Sequence, residues 1–257
     1  MIHIELQQLS KQLGGESVLD DLNLQLEGGQ IIALLGANGA GKTTLLHLLA
    51  GLYQPSAGKI LLDGEELQRD RLDQRRRLHY LPDIPTLSPS MTPIDYIVYA
   101  VEAYGLSSAA NDRRIFELLS EFDILPVADA PCRALSRGQR YKATLVALLA
   151  VNPEFWILDE PFTSGMDPLG LTAMRKNMAR ARDQGRLIIY STQLVEIAQQ
   201  TSDSVCVLSS NKIAAFGSPH SLKQSAEHSP GLNALLEQLQ ASSDRGASQS
   251  SDPKTPA

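Results

Sequence analysis

The sequence predicts an α/β fold whose core sheet is mostly parallel, with an antiparallel β flank and an inserted helical subdomain. Three observations carry that expectation. Residues 36–44 read Gly36, Ala37, Asn38, Gly39, Ala40, Gly41, Lys42, Thr43, Thr44, a glycine-rich loop set between an apolar strand and a helix. Short, strongly apolar segments recur at 155–158, 187–190 and 205–208 with helix-length stretches between them, the rhythm of a parallel sheet buried on both faces. Between these two regions, residues 85–151 change to helical spacing.

Taken in order, residues 2–9 and 22–26 alternate apolar with polar side chains, and 59–63 adds a further short strand. Half-solvated antiparallel strands read this way. Residues 30–35 form a buried strand before the glycine loop, and 44–50 a helix after it, whose N-terminal dipole faces whatever the loop holds. Glycines let backbone N–H groups turn inward as a nest for phosphate oxygens; Lys42 neutralises β and γ charge, and Thr43 offers its hydroxyl to Mg²⁺. In the helical stretch, Ile94, Ile97, Val98 and Val101 share one face, and Ile115, Leu118, Leu119 and Phe122 share another.

The strand at 155–158 delivers Asp159 and Glu160 to its C-terminal end, where open α/β sheets bind ligands. Asp159 is expected to organise Mg²⁺. Neighbouring strand residues point opposite ways, so Glu160 faces a different atom, the attacking water, as general base. Residues 212–216 close the core, and 232–239 read as a short amphipathic helix packed on its own domain. Residues 241–257 hold no aliphatic side chain larger than alanine and no aromatic one, a composition that predicts disorder. The expected organisation is a nucleotide-binding domain at 1–223 with its helical subdomain at about 85–151, a short helix at 224–240, and a disordered tail.

With 257 residues, 43% hydrophobic content and a net charge of −6, the chain is globular and lacks the clustered basic excess that a nucleic-acid groove needs. The run Arg75, Arg76, Arg77 is read as a solvated helix face. Cys132 and Cys206 have no zinc-type or Cys-x-x-Cys spacing and are read as reduced structural residues. No leader pattern opens the sequence and no apolar run reaches membrane-spanning length. Any membrane role is expected to come through a partner.

Residues Leu135, Ser136, Arg137, Gly138 and Gln139 open the helix that precedes the acidic strand. Here the chain resembles the ATP-binding cassette (ABC) transporter family, whose signature Leu-Ser-Gly-Gly-Gln stands in this place and order. Arg137 is the one difference. Ser164, Gly165, Met166 and Asp167 resemble the family's loop after the acidic pair, and the likeness runs over residues 1–223. It implies a P-loop NTPase of ABC type that binds ATP with Mg²⁺ and hydrolyses it. It also implies a head-to-tail dimer with a second cassette subunit, in which Ser136, Gly138 and Gln139 meet the γ-phosphate held by the other subunit. Integral membrane permease chains are the implied partners, with no nucleic acid, and the implied place is the cytoplasmic face of the membrane.

Three positions depart from the pattern. Where an aromatic ring commonly stacks on adenine stands Leu13, so the phosphates are left to dominate affinity. At the hinge that senses Mg²⁺ and the membrane partner stands Asp83, in place of glutamine, one methylene shorter but still able to face the metal. Gln193 occupies the place of a histidine that touches the γ-phosphate; it can donate a hydrogen bond but cannot become cationic. The hinge sequence Tyr80, Leu81, Pro82, Asp83 resembles the efflux-type branch, so export is the expected direction. The alternative is a slow ATP-dependent switch that regulates a partner. Glu160 favours hydrolysis, because a pure switch needs no base.

Overall fold

The computed structural model describes the backbone of residues 1–249 and the side chains of residues 1–241. Two strands, β1 (His3–Leu13) and β2 (Glu16–Glu27), form a long antiparallel hairpin, joined on its other edge by β4 (Ala57–Leu62) and the two-residue β5 (Glu65–Glu66). Their order is β2-β1-β4-β5, and every pairing is antiparallel. The expected flank is therefore present, with longer strands than the alternation marks. Ile4, Leu6, Leu22, Leu24 and Leu26 are buried from this sheet, the inward half of its period-two pattern.

The second sheet has six strands in the order β10-β9-β3-β8-β7-β6, from β3 (Gln30–Leu35), β6 (Leu78–Leu81), β7 (Phe155–Leu158), β8 (Leu187–Thr192), β9 (Ser204–Ser209) and β10 (Lys212–Gly217). It is parallel from β9 to β6, and only β10 runs antiparallel, on β9. Both faces of β3 are buried. Ile31, Ala33 and Leu35 enter one core, while Ile32 and Leu34 enter the other. The helix α1 (Lys42–Leu49) sends Leu45, Leu46, Leu48 and Leu49 into the second core, between the two sheets. This fixes the end of α1 that carries Lys42 and Thr43.

The first core is covered by α3 (Pro93–Ala103), α4 (Ala109–Glu121), α5 (Arg137–Val151) and α6 (Pro168–Asp183). On α4, Ile115, Leu118 and Leu119 are buried, with Phe122 at its end. On α3, Ile97 and Val101 are buried but Val98 is 37% exposed, so the apolar face is narrower than its spacing implies. Two short helices complete the sheet's connections, α2 (Leu72–Arg75) and α7 (Val195–Thr201). Arg77 corrects the reading of the basic run. It lies beyond α2, forms two bonds to Glu154 at 2.8 and 2.9 Å and a third to Asp63 at 2.6 Å, and so ties the mixed segment before β6 to both sheets.

The C-terminal region departs from expectation. The helix α8 (Pro219–His228) spans the proposed boundary at 223, and α9 (Pro230–Gln249) runs on through residues 241–249, where disorder was expected. Proline ends helices, and the sequence after Pro230 has none before Pro253; alanine and serine continue the backbone pattern without needing an apolar face. Leu222 and Leu239 are buried in the first core, and Ala226 of α8 is buried as well, so both helices pack on the domain that precedes them. The remaining expectation of disorder, for residues 250–257, lies outside the described residues.

Candidate functional site

The glycine loop joins the C-terminal end of β3 to α1. Gly41 stands at the N-cap of α1 with φ 96°, a left-handed conformation that favours glycine. A side chain there would also start 2.9 Å from Leu19. Ala37, Asn38 and Gly39 are exposed, Gly36 and Gly41 are buried, and Ala40 lies between. Lys42 is 6% exposed, and its ammonium folds back over the loop, donating to the Gly36 carbonyl at 2.9 Å and the Ala37 carbonyl at 3.2 Å. The Glu160 carboxylate lies 3.6 Å from the same nitrogen. The structure thus brings together the lysine and the acid that the sequence places 118 positions apart. Thr43 is exposed and Thr44 half-buried in the first turn of α1.

Glu160 leaves β7 in a left-handed turn, φ 45° and ψ 48°, a conformation costly for a residue with a side chain. One hydroxyl holds it. Ser191 Oγ accepts the Glu160 N–H at 2.8 Å and donates to Asp159 Oδ1 at 2.6 Å. The other Asp159 oxygen accepts from the Tyr80 hydroxyl at 3.3 Å. Because that proton is committed to the carboxylate, His47 Nε2, 3.0 Å from Tyr80 Oη, is the donor of its own bond. Burial lowers the His47 pKa against the opposing pull of Asp159, so the ring stays neutral at neutral pH. Ser191 and His47 carry no motif, and Tyr80 stands in the hinge sequence without its contact to Asp159 being readable there. Ser191 had a signal, standing two places before Gln193 at the end of a strand that neighbours β7.

Burial also pushes the Glu160 carboxyl above its ordinary pKa; Lys42 opposes this, and the charges of Asp159 and Asp83 add to it. Glu160 Oε2 is buried with no hydrogen-bond partner. A carboxylate raised toward neutrality, with one oxygen unpaired, is what a general base for water requires. Gln193 directly follows β8 and is half-buried.

The donors around the loop are hydroxyl and carboxylate oxygens, suited to a hard cation. Among the described residues no group of three or more His, Cys, Asp or Glu could hold a metal ion alone. The set fits Mg²⁺ arriving with a nucleotide, since that ion takes one or two carboxylates and completes its shell with phosphate oxygens and water.

The signature residues lie at the start of α5. Ser136 caps the helix, its Oγ accepting from Gln139 N at 3.1 Å while Gln139 Oε1 accepts from Ser136 N at 2.9 Å, a reciprocal capping box. A Cβ at Gly138 would stand 2.3 Å from the carbonyl oxygen of Gly165. Glycine is thus needed there so that α5 can approach the loop after the acidic pair. Asp83 is engaged by the residue that departs from the signature, with Arg137 Nη2 donating to its Oδ1 at 2.7 Å. Leu13 lies 39% exposed at the end of β1. Cys132 and Cys206 are both buried and unpaired by disulfide, as expected.

A profile of the ABC transporter family matches residues 19–163. The chain is 35% identical over 219 residues to Nod factor export ATP-binding protein I of Cupriavidus pinatubonensis, covering 85% of this chain and 67% of that one. It is 31% identical over 207 residues to the ABC-type transporter ATP-binding protein EcsA of Bacillus subtilis, 80% of this chain and 83% of that one. A solved structure described as the ATP binding subunit of an ABC transporter superposes with a TM-score of 0.83 at 30% identity, over 94% of this chain and 99% of the other. The cbiO1 protein of Clostridium perfringens, part of the ABC transporter complex cbiONQ, superposes at 0.70 with 25% identity, over 91% and 98%. With the glycine loop before α1, the acidic pair after β7 and the capped helix α5 in a fold shared with these structures, the chain belongs to the ABC transporter family, as an ATP-binding subunit and ATPase.

Proposed function

We propose that the chain hydrolyses ATP within a head-to-tail pair of cassettes and passes the closing motion to separate permease chains of an exporter. The observation that carries the chemistry is the Glu160 carboxylate, 3.6 Å from Lys42 with one oxygen buried and unpartnered. In the free subunit Lys42 is satisfied by Gly36, Ala37 and Glu160. A triphosphate is a stronger partner for that ammonium than two carbonyls. Once Lys42 turns to it, Glu160 loses its counter-ion, its proton affinity rises, and it takes the proton of the attacking water.

The amides of residues 36–44 and the Lys42 side chain hold the phosphates, with Lys42 also stabilising the charge of the transition state. Thr43 and Asp159 would hold Mg²⁺, with Asp83 as a third oxygen donor; the ion would supply neutralisation of phosphate charge. Gln193 donates one neutral hydrogen bond to the γ-phosphate. Ser136, Gly138 and Gln139 serve the nucleotide of the second subunit. The named export role of the relative from Cupriavidus supports the direction. No described helix is long and apolar enough to cross a membrane, so we assign attachment at the cytoplasmic face to the permease chains.

Saturating Mg-ATP, at about 100 times its dissociation constant, should stabilise the protein by roughly 2.7 kcal/mol, a rise of about 5 to 10 °C in melting temperature for a chain of this size. Lys42→Ala should abolish that rise. A wild-type protein whose melting temperature ignores Mg-ATP would exclude the reading.

A further inference from the structure

Asp83 lies in the segment between β6 and α3, and Arg137 is the first residue of α5. The 2.7 Å bond between them is the one ion pair joining that segment to α5 among the described residues. The placement of Arg137 is unusual on physical grounds. The N-terminus of a helix favours anions, and a cation there opposes the dipole. The first turn of α5 contains no acidic residue of its own, so Asp83 brings in from another segment the negative charge this end lacks. The side chains are 36% and 49% exposed, and pairs this wet exchange partners at small cost. β6 and β7 pair in parallel with Leu81 opposite Leu158, and the Asp159 N–H donates to the Leu81 carbonyl at 2.8 Å, so Asp83 leaves the sheet at the same edge, on the strand next to the one that carries Asp159 and Glu160.

One carboxylate is therefore placed between a guanidinium and the site where Mg-nucleotide binds. We propose that Arg137 is a positioning residue that competes with Mg²⁺ for Asp83, so that cation binding and release of the α5 N-terminus are a single exchange. The inference rests on the reading that Asp83 faces the cation. Competition follows even if the two positive charges take different oxygens, because each weakens the other's hold on a single anion. While the Asp83–Arg137 pair is closed, α5 is tied to the end of β6. Opening frees the guanidinium beside Ser136 only in a subunit that already holds its cation.

The test compares dissociation constants for the imido analogue of ATP, which is not hydrolysed, in Mg²⁺ and in EDTA, by calorimetry on the full chain. The dissociation constant in EDTA divided by that in Mg²⁺ isolates the cation's share. Arg137→Ala is expected to tighten binding in Mg²⁺ by about two- to fivefold, the span of an exposed ion pair, and to leave binding in EDTA unchanged. In an Asp83→Ala background the same change should do nothing. Arg137→Gln repeats the test if the alanine variant folds poorly. An equal effect in EDTA, no effect in Mg²⁺, or an effect that survives Asp83→Ala overturns the proposal. If Asp83→Ala alone leaves the ratio at the wild-type value, the assignment of Asp83 to the cation fails, and the exchange with it. If Asp83→Ala lowers the ratio but Arg137→Ala does not raise it, only the exchange fails.

Discussion

Ser191 does two things with one hydroxyl. It orients Asp159 through Oδ1 and accepts the N–H of Glu160, so the turn that aims Glu160, the proposed base, is fastened to Asp159, the residue proposed to face the cation. Ser191→Ala leaves a buried N–H without a partner, a loss of about 1 to 3 kcal/mol, and it frees a left-handed residue to relax. Steady-state kinetics should show kcat falling at least about tenfold, because a base displaced by a fraction of an ångström no longer meets its water, while the KM for Mg-ATP changes less. An unchanged kcat would show that Glu160 keeps its position without the serine. This residue also marks where sequence reasoning stops. Lys42, Asp159 and Glu160 were legible because their chemistry needs them at fixed places along the chain. Ser191, Tyr80 and His47 support the site from strands and a helix brought together only by folding, and the place of Ser191 two residues before Gln193 marks the strand end without showing which groups its hydroxyl meets.

At the scale of elements, β6 and α3 are joined by a polar contact inside an apolar seam. The Tyr104 hydroxyl donates to the Leu78 carbonyl at 2.6 Å, so His79 Nδ1, 3.1 Å from the same oxygen, must be a donor, and the two rings stack at 5.8 Å. Burial lowers the His79 pKa to about 4 from an ordinary 6.5. The unfolded chain therefore takes up a proton that the folded chain refuses, so stability is full above pH 6.5 and is lost as pH falls toward 4. Between pH 7 and 5 this contributes a loss of about 1 to 2 kcal/mol. His79→Asn keeps a donor for Tyr104 but cannot titrate, and its denaturation midpoint should be flatter over that range by this amount. Identical pH profiles would mean that His79 takes its proton without unfolding the seam. Such joints also explain which elements were legible. Strands buried on both faces announced themselves as apolar runs, and β3 and β7 fall at the residues expected. The continuation of α9 through residue 249 did not, because an alanine- and serine-rich stretch without apolar period looks the same whether it is helical or not.

At the scale of the whole molecule, the capping box at Ser136 changes how a paired assembly should be tested. Glu160→Gln keeps the shape of the base and removes its function, so Mg-ATP should bind and remain, and any closed pair should accumulate. Size-exclusion chromatography of this variant in Mg-ATP is expected to show twice the monomer mass. The second half of the test must break the contact with the other subunit's phosphate without unfolding α5. A bulky residue at 136 would remove the cap and confuse the two effects. Ser136→Asp avoids this, since aspartate caps a helix about as well as serine and its charge suits that end of the dipole, yet it repels an incoming phosphate. Added to Glu160→Gln, it should return the protein to monomer while the melting temperature without nucleotide moves by no more than about 2 °C. A dimer that survives Ser136→Asp would place the interface elsewhere. A Glu160→Gln protein that stays monomeric in Mg-ATP, but dimerises when a second cassette chain is added, would make this chain one half of an unlike pair. In that pair Gln193 and the Asp83–Arg137 contact would belong to one of its two sites.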